Sequence, residues 1–406
     1  MQSMPSVLIP TTTAATARSV SPTSLAAAFG QVPDPRRHAS VTYALPAILA
    51  LALAAILSNH QSVLAIAEWG ARQRQDLLTS LGFPDGHTPC QSTVQRLLSN
   101  LDGAALSATL SAHFALPVLP TPPGTPPHGV AIDGKAQRGH LQYAPGGCPV
   151  HALSAFCHAH GIVLAHEPIE QGAEKAEAEL TVAPDLSARL TWQGRVLTGD
   201  ALCWQRRLCQ QVHAAGGDYL LLVKENQPTL AHDIALLFDP PPQQNPLPLL
   251  DRREVTTIER GHGRSHDRRH LTASTDLTAY LDWPGLAQVF RLEHTWRVRG
   301  TTKRTLHYGI TSLAPETGPP VRLLTLKRGH WAIENRLHRT KDVTFGKDQS
   351  LIHRGQGPLV MALLRDAAIS VLHRAGIERI TARLRYHSQC PDAAIALIIE
   401  PPPTRA

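Results

Sequence analysis

The sequence predicts an α/β fold: a sheet covered by helices, followed by a further run of strands and preceded by a small helical domain. Three observations lead there. The apolar runs RVLTGDAL and DYLLLVKEN flank WQRRLCQQVHAAGG, a helix closed by glycines, and strand–helix–strand order with apolar strands implies a mixed or parallel sheet buried on both faces. Helical periodicity, by contrast, fills residues 31 to 115. Two proline-rich stretches, LPTPPGTPPHG (Leu119–Gly129) and PPPQQNPLPLL (Pro240–Leu250), separate segments of different period.

Taken in order, residues 1–30 are rich in Ser, Thr, Ala and Pro and are expected to be flexible. Residues 31–118 form the helical domain, with Ser92 and Thr93 as N-cap candidates before VQRLLSNL. The linker 119–129 is extended and semi-rigid. The core, 130–390, opens on the strand GVAIDGK and a hairpin, HALSAFCHAHGIVLAHEPI, turning at Gly161. A β-rich segment, about 240–325, follows, with strands in REVTTIERGHG, RRHLTAS, VFRLEHTWRV and TLHYGITSL. From Thr325 the pattern is helical again, through HWAIENRLHRTKDVTF and PLVMALLRDAAISVLHRAG, and 391–406 is left as a C-terminal tail.

The 406-residue chain carries a formal charge of +7, a pI near 9.3 and 22 histidines. That balance suits a polyanionic partner, because phosphate neutralisation drives non-specific nucleic-acid affinity. The N-terminal helical unit could then bind DNA or serve as a scaffold. The six cysteines (Cys90, Cys148, Cys157, Cys203, Cys209, Cys390) form no CxxC pair and read as reduced thiols of a cytoplasmic protein. The N-terminus lacks the charged-then-apolar order of a secretory signal. The most apolar stretch, Ala44–Leu57, falls short of the roughly 20 residues of a membrane helix, so no membrane is expected.

Three acidic positions stand out by context. Asp133 ends the apolar run GVAID, with Lys135 and Arg138 close by, and Asp200 ends RVLTGD. A carboxylate at a buried strand end is costly unless paired or bound to a metal, and two such ends in one sheet can share hard cations. The residues alone leave open that each Asp merely caps the following turn. Glu334 lies on the expected helix HWAIENRLHRTKD. At about 100° per residue, His338 and Lys341 share its face, whereas Asp342 is rotated away and Asp348 falls beyond the helix end. Such a face can hold metal and phosphate together, or be a solvated Glu–His–Lys ladder. The clustered His151, His158, His160 and His166 have no Cys partner at zinc-finger spacing and do not read as a zinc site.

The ordered runs AIDGKAQRG, GDYLLLVKENQPTL, GHGRSHDRR and HWAIENRLH…DVTFGKD resemble the DDE transposases of the ISAs type, the H-repeat-associated family of bacterial insertion sequences. The likeness extends from about Asp34, through DPRR…IAEWG, to Gly376. It implies an RNase H-like catalytic core with a β-rich insertion before the last acidic helix. By position it makes Asp133, Asp200 and Glu334 the catalytic, metal-binding carboxylates. Lys341 takes the place of a family Lys seven residues after the Glu, and His330 stands where an Arg is usual, with Arg328 nearby as its substitute. Lys175 and Glu177 match a KxNE motif in part, His266 replaces an acid in HGRSHDR, and Arg365–Asp366 stands where the family has Arg-Asn.

The implied activity is DNA transposition. Two Mg²⁺ or Mn²⁺ ions, roughly 3.5–4 Å apart, would activate water to nick the element ends and then a 3′-hydroxyl to attack target DNA, without a covalent protein intermediate. Lys135, Arg138, Lys224, Arg328, His330, Arg336, His338 and Lys341 are the expected DNA contacts. The partners are terminal inverted repeats and target DNA, with a homo-oligomer assembled on them. The rival readings are a related metal-dependent nuclease that does not join strands, and a transposase-derived DNA-binding protein without activity.

Overall fold

The computed structural model describes residues 23–37, 41–116, 126–137, 150–169, 175–199, 206–223, 227–240, 250–261 and 264–401. Asp200, Arg138 and Lys224, most of the expected N-terminal segment and most of the proline-rich linker lie outside them.

Six helices open the described chain: α1 (Leu25–Ala28), α2 (Leu45–Leu57), α3 (Val63–Ala71), α4 (Gln75–Ser80), α5 (Gln91–Asn100) and α6 (Gly103–Phe114). Strands β1 (His128–Gln137), β2 (Val150–Cys157) and β3 (Val163–Ile169) then form an antiparallel meander. Helix α7 (Lys175–Ala188) carries the chain to β4 (Arg195–Gly199), which lies parallel to β1. Helix α8 (Arg206–Ala214) crosses over to β5 (Asp218–Val223), parallel to β4. β4 is buried throughout, its Arg195 and Thr198 included, and the apolar β5 nearly so.

After α9 (Pro228–Phe238) come the strands of the expected insertion: β6 (Arg253–Gly261), β7 (Arg264–Ser274), β8 (Gln288–Val298) and β9 (Thr301–Thr311). They do not form a separate sheet. β9 pairs antiparallel with β5, so one nine-stranded sheet results, in the order β3-β2-β1-β4-β5-β9-β8-β7-β6. Pairing satisfies the β5 edge, which would otherwise expose a row of backbone donors and acceptors. The β8–β9 hairpin turns on Arg299 and Gly300, at φ 48° and 81°. Two positive φ values in a two-residue loop match the sheet twist and favour glycine. Helix α10 (Pro320–His330) covers one face through Leu323, Leu324 and Leu326, against Val196, Leu220, Leu271 and Phe290.

The chain continues through π-helical turns at Ile333–His338 and Thr340–Thr344, then α11 (Gly357–Arg374), α12 (Ile380–Gln389) and α13 (Pro391–Ile399). The expected tail at 391–406 therefore begins as a helix, which buries Ala394, Ile395 and Ile398. The N-terminal helices pack against the C-terminal ones: α2 packs on α11 and α13, and α11 also packs on α5 and α6. The reason lies in α2 itself. LPAILALALAAIL has no polar face and is buried over nearly its whole length, so partners must surround it. This layer docks on the meander, where Ser107 Oγ donates to the His166 carbonyl at 2.7 Å and Val163 N donates to Ser370 Oγ at 3.1 Å. Among the described residues no helix is long and apolar enough to cross a membrane.

Candidate active site

Asp133 sits within β1, just past the described pairing with β4, which ends at Ala131↔Thr198. Its Oδ1 accepts from the backbone N–H of Gly134 at 3.0 Å, and its Oδ2 lies 3.2 Å from His338 Nε2. A Cβ at Gly134 would meet the carboxylate of the buried Glu179 of α7, which would have to shift to admit it. Burial alone would raise the Asp133 carboxyl. The His338 contact, the His330 ring and the Gly134 N–H outweigh it and hold the group below the usual carboxylate range. His338 is fully buried, and burial pushes its pKa down, so the neutral imidazole is favoured.

Glu334 and His338 come from the first π-helical turn. One ligand atom from each of Asp133, Glu334 and His338 lies within 4.8 Å of the others, a spacing one cation can bridge. Lys135, two residues along β1 and on the same face, bridges Glu334 Oε1 at 3.6 Å and Asp342 Oδ2 at 3.1 Å. The π geometry corrects the expected helical face. Hydrogen bonds from i to i+5 widen the turn, so each residue advances by roughly 80° rather than about 100°. Seven steps then carry Lys341 to the far side of the segment from Glu334, whereas Asp342, eight steps on, stands about 80° from it in either geometry. Lys341 is accordingly buried, its Nζ 2.9 Å from Asp366 Oδ1. Asp366 Oδ2 in turn lies 2.9 Å from His166 Nδ1. Asp348 follows the left-handed Gly346 that ends the segment, and pairs with Lys347 at 2.8 Å.

A family model described as a transposase DDE domain matches residues 125–371, and one described as DDE_Tnp_1-associated matches residues 26–114. The chain belongs to the DDE transposase family. Curated relatives place it among the H-repeat-associated members. It is 27% identical to YbfL of Escherichia coli K12 over 86% of this chain and 91% of that protein. It is 26% identical to the H repeat-associated protein YhhI of the same strain, over the same shares of both chains. YncI of E. coli O157:H7 is 26% identical over 86% of this chain and 88% of its own. A piggyBac transposase synaptic complex with hairpin DNA aligns over 91% of this chain and 77% of that one, but at a TM-score of 0.40 and 11% identity. The chain is thus a metal-dependent polynucleotidyl transferase or nuclease that acts on DNA.

In this transposase the residues expected to touch DNA divide sharply. Arg328 is exposed on α10 and paired with Glu259 of β6 at 2.6 Å, and Lys135, His330 and Arg336 are half-buried. His330 Nδ1 lies 3.4 Å from Thr198 Oγ1, which also meets His158 Nε2 at 3.0 Å. Arg336 turns inward, donating to the His158 carbonyl at 3.0 Å and meeting His373 Nδ1 at 3.3 Å. His338 and Lys341 are buried and therefore correct the expectation of a basic surface on that helix. Sequence reasoning missed the partnership of His338 with Asp133, although the four-residue spacing from Glu334 was its signal. It also missed the Lys341–Asp366–His166 cluster, whose signal was the departure to Asp at 366.

Proposed function

We propose that this transposase cuts the ends of an insertion sequence and joins the freed 3′-hydroxyls to target DNA. Asp133, Asp200 and Glu334 would be the metal-binding carboxylates, and Mg²⁺ or Mn²⁺, as two ions, the cofactor. The observation that carries this reading is the convergence of Asp133, Glu334 and His338 within 4.8 Å at one sheet position. Asp200 enters by its place in the chain: it stands two residues beyond Thr198, as Asp133 stands two beyond its partner Ala131. The order β3-β2-β1-β4-β5, three antiparallel strands then two parallel ones, supports an RNase H-like core.

The donor set fits divalent cations. Two carboxylates suit hard ions, and a nitrogen donor at His338 widens acceptance from Mg²⁺ towards Mn²⁺. His338 fits in a second respect, since its ring is fully buried and faces the Asp133 carboxylate. Bound cations would supply activation of the attacking oxygen and stabilisation of the leaving one. The protein's own part is to keep Asp133 ionised through Gly134 and His338, and to orient Glu334 through Lys135. Arg328 and Lys135 offer positive charge to the DNA backbone. The element ends and target would be held by a homo-oligomer assembled on DNA.

Glu334→Gln preserves volume while removing the charge that holds the ion. Nicking of a duplex carrying the element end should fall by on the order of 100-fold or more in Mg²⁺ and in Mn²⁺, with DNA binding retained. An active Glu334→Gln enzyme would overturn the assignment. Cleavage by the wild type without joining would favour the nuclease reading instead.

A further inference from the structure

Lys135 stands between two acids. Its ammonium lies 3.6 Å from Glu334 Oε1 and 3.1 Å from Asp342 Oδ2, and all three side chains are partly open to water. Asp342, in the second π-helical turn, has both oxygens committed to lysines. Oδ2 faces Lys135, and Oδ1 lies 2.9 Å from the buried Lys347. Asp342 is not part of the cluster in which Asp133, Glu334 and His338 bring their ligand atoms within 4.8 Å of one another. Glu334 therefore belongs to two constellations at once, a cation site and an ion pair. A cation bound at the first has to coexist with the ammonium of the second.

On the metal-site reading given above, we propose that Asp342 is a positioning residue: it draws the Lys135 ammonium away from Glu334 and so keeps that carboxylate available to a divalent cation. The physics is a competition among charges. Before a cation binds, Lys135 orients Glu334 and offsets its repulsion of Asp133 across the cluster. Once a divalent cation is bound, the same ammonium is a like charge beside it, and the two repel. Asp342 offers the ammonium a second carboxylate, already the nearer of the two, so Lys135 can release Glu334 without being left unpaired. The exchange needs only a shift of the flexible lysine stem, because both acids are within reach from one place on β1. Lys347 completes the arrangement. It neutralises Asp342 through the other oxygen, and it retains Asp348 at 2.8 Å when Asp342 is altered.

The test is a double-mutant cycle on the full-length protein, with Mn²⁺ affinity read by calorimetry. Asp342→Asn keeps the size of the side chain and removes its charge, which leaves Lys135 wholly to Glu334. Mn²⁺ binding should weaken by about 5-fold, the size expected when one partly exposed charge pair is lost. Asp342→Glu restores the charge and should bind Mn²⁺ within about 2-fold of wild type. Lys135→Met should rescue the defect. The variant carrying both Asp342→Asn and Lys135→Met should bind Mn²⁺ more tightly than Asp342→Asn alone, and within about 2-fold of Lys135→Met, because no ammonium is left to draw away. Equal losses from Asp342→Asn with and without Lys135 would make Asp342 a metal ligand or a structural part of the turn, and overturn the proposal. Failure of Asp342→Glu to restore binding would overturn the part played by its charge. Glu334→Gln separates these outcomes from the metal-site reading. If it binds Mn²⁺ as wild type does, Asp133, Glu334 and His338 do not form the metal site, and the role of Asp342 falls with it. If it loses Mn²⁺ while the Asp342 and Lys135 effects are additive, the metal site stands and only the role of Asp342 fails.

Discussion

Asp133 and Glu334 keep 37% and 43% of their side chains exposed, whereas Lys341 and Asp366 keep 6% and 4%. Glu334 and Lys341 stand on the same π-helical segment, so one short stretch of chain serves an open cluster and a sealed one. Water makes the difference. An open carboxylate can wait for a ligand, because solvent screens it meanwhile. A sealed one must be neutralised by its neighbours at all times, and its partners are correspondingly close. Substitutions in front should therefore disturb chemistry and spare stability, and those behind should do the reverse.

The largest effect is expected behind. Asp366→Ala strands the Lys341 ammonium in the core, and removing one partner of a buried pair costs about 3–5 kcal/mol. Urea unfolding should read that loss as a lower midpoint at unchanged slope. A change below about 1 kcal/mol would erase the distinction between the clusters.

Acid should find the same carboxylate. Burial would raise Asp366, but Lys341 and His166 hold it at about 2, below its ordinary 3.8. A carboxyl depressed on folding contributes its full stabilisation above the unfolded value and loses it as pH falls through the folded one. Stability should then drop by about 2 kcal/mol between pH 4 and pH 2 on this group's account, at about 1.4 kcal/mol per pKa unit. Wild type and Asp366→Asn should converge over that range, and parallel acid-unfolding curves would contradict it.

Much of this was legible beforehand and some was not, for reasons that can be named. The runs RVLTG and DYLLLV could hardly be anything but buried strands, and Glu334 with His338 showed its spacing openly. The phase of the segment after His330 was hidden, because residues 333–344 suit an α-helix as well as a π-helix. Only packing chooses the wider turn, and that choice buries Lys341. The union of the N-terminal helices with α11 and α13 was hidden for a related reason. Apolar α2 announces that it must be covered, but not by which helices.

In front, Asp133→Asn should sharpen the contrast. Stability should change by less than about 1 kcal/mol, because the group is partly open and the amide keeps its hydrogen bonds. Mn²⁺ affinity measured by calorimetry should nevertheless fall by on the order of 10-fold or more, since an amide oxygen replaces a charged ligand. Unaltered Mn²⁺ binding would remove Asp133 from the metal site.

The smallest effect is expected at Asp348, which lies close to Glu334 in sequence and could pass for the third catalytic acid. It stands beyond Gly346, whose left-handed backbone (φ 53°) ends the π-helical segment, and its carboxylate is half exposed. Its partner Lys347 keeps a second acid, Asp342, at 2.9 Å, so the buried ammonium is not left alone when Asp348 is neutralised. Partly exposed pairs of this kind are worth about 0–1 kcal/mol. Asp348→Asn should therefore unfold within about 1 kcal/mol of wild type and nick the element end at a rate within a few-fold. The comparison is internal, because Glu334→Gln and Asp348→Asn each remove one negative charge from the same short segment. If charge alone governed activity there, both would fail together. If position governs it, only Glu334→Gln fails, and a dead but folded Asp348→Asn enzyme would move the third carboxylate from the π-helical turn to the loop that follows it.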